Sequence, residues 1–303
     1  MIDVVTFGEA MAVLSGPGPL RLGGDLRLSI AGAESNVAIG LARLGHAVRW
    51  VGRVGDDELG SLVLRTLRAE SVDIAAVIVD PRRPTGLMLR ERRMGSTARV
   101  SYYRTGSAGG ALTPTDVLPS LDGARALHLT GITAALGPDA AAAVREAARH
   151  AHAAGVPVCL DVNHRSRLWP VEAARDALRP ILADVDILVA SEDELPIVVD
   201  SLDRLPVATV VVKRGAAGAT AHTGDGVVAV AARAVPVVDV VGAGDAFVAG
   251  LLSGTLDGLP MTACLDRGVS VAAFAVAHDG DWEGVPTRAE LALLDAEPGS
   301  TIR

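Results

Sequence analysis

The chain has 303 residues and a formal net charge of −8, long enough to bury a substantial core and of the wrong sign to grip a phosphate backbone. Half of the residues are hydrophobic but only 3% are aromatic, and the dominance of Ala, Val and Leu suits a parallel sheet covered by Ala-rich helices. Its two cysteines, Cys159 and Cys264, sit in apolar surroundings and read as free thiols. With no basic leader and no uncharged run of bilayer length, the expectation is a cytoplasmic protein with neither membrane nor nucleic-acid partners.

In chain order, Ile2–Phe7 is a buried-strand candidate ending at Gly8-Glu9. Residues 10–30 hold Gly-Pro and Gly-Gly pairs around short apolar segments, the pattern of a loop or small hairpin. A helix is expected over Asn36–Leu44, stopping at Gly45, then a strand over Val48–Val54 and a helix over Asp57–Ala69 with an apolar stripe at Leu59, Leu62, Val63 and Leu67. Thr85–Arg92 and Arg99–Arg104 alternate like exposed antiparallel strands joined at Met94-Gly95-Ser96, and with part of residues 10–30 they suggest a small β element beside the main body.

From Ala126 the rhythm is regular. Strands are expected at Ala126–Thr130, Val156–Val162, Ile187–Ala190 and Ala208–Lys213, and helices at Pro138–Ala154, Val171–Leu182 and Glu192–Val199. Such alternation indicates right-handed βαβ units and a parallel sheet. Val227–Val230 and Ala234–Val238 resemble a hairpin or edge pair, and helices are expected at Asp245–Leu256, Thr262–Ala277 and Thr287–Leu294.

Three stretches carry chemistry. In Asp239–Gly250, the Gly242-Ala243-Gly244 turn leads into a small-residue helix, which aims free N–H groups and the helix dipole at one point. Asp245 beside it has the chemistry to take a proton from a hydroxyl. At Gly32-Ala33-Glu34-Ser35-Asn36 a strand hands over to a helix, with room for a ligand at Gly32 and a donor and acceptor at Asn36. Lys213 is the only lysine, and no Gly-x-x-x-x-Gly-Lys-Ser/Thr loop exists, so any phosphate must be held by arginines, backbone amides and Lys213.

The Gly32–Ala38 and Asp239–Gly250 stretches, in order and spacing, resemble the two signatures of the ribokinase-like PfkB carbohydrate kinases. Within that family, Thr6–Met11, Gly32–Asn36, Tyr102–Ala108, Asp161–Arg165 and Gly280–Gly284 look most like 2-keto-3-deoxygluconate kinases. The resemblance implies one α/β domain over residues 1–303, a ribokinase-like three-layer sandwich with a central, mostly parallel sheet and a β lid from parts of 10–30 and 85–104. It implies ATP and Mg²⁺, a monovalent cation in some relatives, and a homodimer or higher homo-oligomer paired through lids.

Site roles follow by position. Asp245 is the implied general base, and the amides of Gly242, Ala243, Gly244 and Asp245 the anion hole for the transferred phosphoryl group. Gly32, Asn36, Tyr102, Arg104, Arg165 and Asp281 fall where the family contacts its sugar acid. Ser191, Lys213, Gly215 and Gly218 border the nucleotide. Glu194 organises Mg²⁺ through water, in a motif where Ser191 replaces the family's asparagine. Met88 stands where a sugar-acid kinase is expected to carry tyrosine.

The function implied is phosphorylation of a sugar acid, 2-keto-3-deoxy-D-gluconate foremost, to its 6-phosphate. A neutral-sugar kinase is the alternative, disfavoured by Arg104 and Arg165, which suit a carboxylate. A sugar-binding protein without turnover is the third reading, and the intact Asp245 and Gly242–Gly244 turn stand against it.

Overall fold

The computed structural model describes residues 1–94, 97–202 and 207–295. Gly95 and Ser96, in the expected turn of the small β element, lie outside them.

Eight strands form the main sheet, in the spatial order Gly226–Val230, Ala219–Thr223, Thr209–Lys213, Ile187–Ser191, Val158–Asp161, Ala124–Thr130, Ile2–Phe7 and Val48–Val51. From Thr209–Lys213 to Val48–Val51 the strands run parallel. The other two extend the edge as an antiparallel hairpin.

Strand alternation divides the core in two. Val5, Phe7, Leu188, Ala190, Val210 and Val212 belong to one buried cluster, while Val4, Trp50, Ile187, Val189 and Val211 belong to the other. Among the described residues the longer helices cover these faces: α1 (Ala33–Arg43), α2 (Glu58–Ala69), α3 (Pro138–Ala153), α4 (Val171–Leu178), α5 (Ala243–Leu256) and α6 (Met261–Val276). α3 and α4 cover the first, and α1, α2, α5 and α6 the second. In α3, Pro138 occupies the first turn, where its missing N–H costs no helical bond, and Ala140, Ala143, Val144, Ala147, Ala148 and Ala151 make the buried stripe. α2 starts at Asp57, whose side chain accepts from the Gly60 amide at 2.7 Å, and buries Val63 and Leu67.

A second, four-stranded sheet has the order Arg27–Ala31, Met11–Gly16, Leu87–Met94 and Thr97–Tyr103. Paired residues share a face, so Arg27, Ser29, Met88, Arg90, Val100 and Tyr102 look one way. Leu14, Leu28, Leu87, Leu89 and Tyr103 look the other way.

Five expectations change. The Val48–Val54 run breaks at Gly52: Val48–Val51 joins the main sheet, while Arg53–Gly55 pairs with Ile78–Asp80. The Val171–Leu182 helix ends at Leu178 and continues as a 3₁₀ segment over Arg179–Asp184, because Pro180 has no amide for the next α-helical bond. Only Leu195–Val198 is helical in Glu192–Val199, and the segment near Thr287–Leu294 is 3₁₀, over Ala289–Asp295. Finally, Gly226–Val230 pairs with Ala219–Thr223, not with Ala234–Val238. Thr223 closes that turn by donating to the Gly226 carbonyl at 3.1 Å. Among the described residues no helix is long and apolar enough to cross a membrane.

Candidate active site

The C-terminal ends of the parallel strands and the N-termini of α1 and α5 converge. Gly242 precedes α5 with φ 74°, a left-handed conformation that strains residues with a Cβ, and a Cβ there would run into the Asp281 carbonyl. Ala243, Gly244 and Asp245 form the first turn of α5, whose early amides have no partner within the helix. Asp239 tightens the approach, its Oδ1 accepting from the Val241 amide at 3.1 Å.

Asp245 is buried, and each of its oxygens accepts from an amide side chain: Oδ2 from Asn36 Nδ2 at 2.8 Å and Oδ1 from Asn163 Nδ2 at 3.2 Å. Burial pushes its carboxyl above the ordinary aspartate value, and the Asn36 bond and the Arg165 charge pull it back only in part. Asn163 had no role in the sequence reading, although it lies inside a stretch that carried the resemblance. Its signal was an asparagine directly after a strand: it takes φ 41°, which asparagine tolerates better than most residues.

Lys213 ends its strand with Nζ 2.7 and 2.9 Å from the two oxygens of Asp161. A Cβ built on Gly244 would lie 3.6 Å from that Nζ, so the ammonium stands beside the turn. Burial disfavours the charge, but Asp161 and Glu194 outweigh it, and the amine is held above its ordinary value as a cation. Glu194 is fixed by two backbone donors, the His164 amide on Oε1 at 2.8 Å and the Ser191 amide on Oε2 at 2.9 Å. Ser191 therefore contributes its main chain here. Gly215 opens the 3₁₀ turn after Lys213, and Gly218 packs against the backbone of Val230 and Ala232. Among the described residues, no group of three or more His, Cys, Asp or Glu side chains is placed to hold a metal ion.

The remaining expected residues form two further groups. Gly32 caps α1 against the Glu9 carbonyl. Glu9, almost wholly buried, pairs with Arg104 and accepts from the Ser107 hydroxyl, and the Arg104 guanidinium lies 5.7 Å from the Tyr102 ring centre. Tyr102 is half-exposed and Arg165 exposed. Met88 is buried among Val13, Ala31 and Val100. Asp281 is buried with Arg90 Nη1 at 3.2 Å, and burial pushes its carboxyl up to about 7. In the first turn of α1, Glu34 is fully buried and accepts from the Thr130 and Thr133 hydroxyls, and burial lifts its carboxyl to about 6.

The family model described as "pfkB family carbohydrate kinase" matches residues 1–288. The chain belongs to the pfkB family of carbohydrate kinases. The kinase is 36% identical to the 2-dehydro-3-deoxygluconokinase of Bacillus subtilis over 96% of this chain and 94% of that protein. Identity to the 2-dehydro-3-deoxygluconokinase of Thermoproteus tenax is 37%, over 96% and 93%. A candidate ribokinase II from Escherichia coli, solved in complex with ATP and Mg²⁺, superposes with a TM-score of 0.89 at 25% identity, covering 97% of this chain and 99% of that one. Its large, mostly parallel sheet is the ribokinase-like fold the sequence implied.

Proposed function

We propose that this carbohydrate kinase transfers the γ-phosphoryl group of ATP to 2-keto-3-deoxy-D-gluconate, giving the 6-phosphate and ADP. The observation that carries the chemistry is Asp245, held by Asn36 and Asn163 in the Gly242–Asp245 turn at the start of α5 and flanked by Lys213. Asp245 takes the proton of the substrate hydroxyl as its oxygen forms the new bond to phosphorus and the bond to ADP breaks. Its raised pKa brings the base nearer to neutrality, where proton transfer is more favourable. The amides from Gly242 to Asp245 and the Lys213 ammonium face the charge that develops on the phosphoryl oxygens. Gly215 and Gly218 would border the nucleotide.

Mg²⁺ would supply further charge neutralisation on the phosphates. Glu194, oriented by two backbone amides, fits a carboxylate that acts on the ion through water.

Sugar-acid choice is assigned to Arg165 and Arg104, with Tyr102, Gly32 and Asp281 completing the pocket and the four-stranded sheet acting as its lid. The names of the two relatives support this substrate, and Arg165 is exposed to solvent yet close enough to act on Asp245 by charge. The test is Arg165→Ala assayed on 2-keto-3-deoxygluconate and fructose side by side. A charge-assisted contact is worth about 1.5–3 kcal/mol, so kcat/KM for the sugar acid should fall roughly ten- to a hundredfold and that for fructose much less. Equal losses would return the neutral-sugar reading. The face of the lid sheet bearing Leu28 and Tyr103, 48% and 61% exposed, supports pairing with a second copy, which sedimentation of a Tyr103→Asp variant would test.

A further inference from the structure

On one face the four-stranded sheet meets the main body through charge, while Ile30 on the other enters the apolar core. Arg27, Ser29, Arg90 and Arg92 face the Asp279–Glu283 loop. Arg27 reaches Glu283 and Asp279, Ser29 donates to Glu283 at 2.7 Å, and Arg92 lies 2.6 Å from Asp279. Arg27, Arg92 and Asp279 are about half exposed, so those pairs are screened by water.

Arg90 differs in both burial and reach. Its side chain is 9% exposed, and its fork engages two buried carboxylates, Asp281 through Nη1 and Asp239 through Nη2. Asp239 also holds the Val241 amide, two residues before α5, and Asp281 presents its carbonyl to the space a side chain at Gly242 would need. One guanidinium on the lid strand thus grips both walls of the turn whose amides face the phosphoryl group. The planar fork of arginine suits such a two-carboxylate bridge, whereas an ammonium is a single point charge.

From this geometry we infer that Arg90 is a positioning residue that fixes the Asp239–Asp245 turn through Asp239 and Asp281, so that seating of the lid sheet and aiming of the turn's amides are one event. The inference rests on the phosphoryl-transfer reading. It adds that a lid residue away from the reacting atoms controls the chemical step as well as sugar binding.

The test compares Arg90→Met, Arg90→Lys and the control Arg92→Met in the full-length protein. Amide hydrogen exchange of the Val238–Phe247 peptide reports on the turn whether or not any sugar is turned over. In Arg90→Met that peptide should exchange about tenfold faster or more, with the strands of the main sheet unchanged. Loss of aim should lower kcat by about tenfold or more, with the KM for sugar acid changed much less. Arg90→Lys should recover only part of both effects, and Arg92→Met should match wild type. Unchanged exchange and kcat in Arg90→Met would overturn the inference. So would a rise in sugar KM alone, which would make Arg90 a lid residue only, or faster exchange spread over the whole chain, which would make it a stability residue. A wild-type protein inactive on every sugar acid and sugar tested would sink the phosphoryl-transfer reading, while the exchange result would still decide the coupling.

Discussion

The Gly242–Asp245 turn and the four-stranded sheet handle charge in opposite ways. Around the turn, the charged groups are buried, short-ranged and set on the ends of parallel strands and one long helix: Asp245 between two amides, Lys213 on Asp161. On the sheet, Arg27 and Arg92 reach carboxylates near the surface. A buried group cannot lose its partner cheaply, because water is not there to replace it. A surface pair can exchange partners at little cost. On the proposed function, chemistry falls to the rigid end of the main sheet and adaptable recognition to the smaller sheet, and Arg90, buried on the smaller sheet, joins them.

The sharpest way to break this division is Asp245→Asn. Removing a positioned general base typically costs ~10²–10⁴-fold, and the variant should still bind ATP and sugar acid in calorimetry. Near wild-type turnover would show that the rigid region does not hold the base.

Gly242→Ala comes next. Its Cβ would press on the Asp281 carbonyl at a left-handed φ, displacing the turn, and loss of a donor of this kind costs about 10²–10³ in kcat. Urea unfolding measured alongside separates displacement from collapse: a kcat loss matched by an equal loss of folded protein would refute the assignment.

The smallest effect sharpens the claim that burial governs the rigid region. Glu34 is lifted from 4.5 to about 6 by burial, so the folded protein binds its proton more tightly than the unfolded chain. That contribution to stability is fully present below 4.5 and is lost as pH rises through about 6. Glu34→Gln lacks it. Between pH 4.5 and 7, unfolding free energies should therefore shift in favour of the variant by roughly 2 kcal/mol. Parallel pH curves would mean that Glu34 titrates as it does in water.

Local rules made much of this legible. Helix and strand periods located α1, α2, α3, α5 and α6 to within a few residues, since each buries a stripe that repeats in sequence. They failed where a partner decides the outcome. Ala219–Thr223 is too short and too poor in large apolar residues to announce itself, and it became a strand because the Thr209–Lys213 edge offered unpaired backbone groups. Val48–Val54 reads as one strand, yet Gly52 divides it between two sheets.

At the site, the sequence by itself determined the groups on which the proposed chemistry rests: a glycine turn, an aspartate in the first helical turn, one lysine for the whole chain. Those choices are written in residue type and short spacing, which survive in any reading of the chain. Only the tertiary structure decided who faces whom. Asn163 meets Asp245 across 82 positions and Arg90 meets Asp281 across 191. Glu9 draws Arg104 against the strand ends. No periodicity records such contacts, because they are set by the order of strands in the sheet and by which buried charge must find a partner once water is gone.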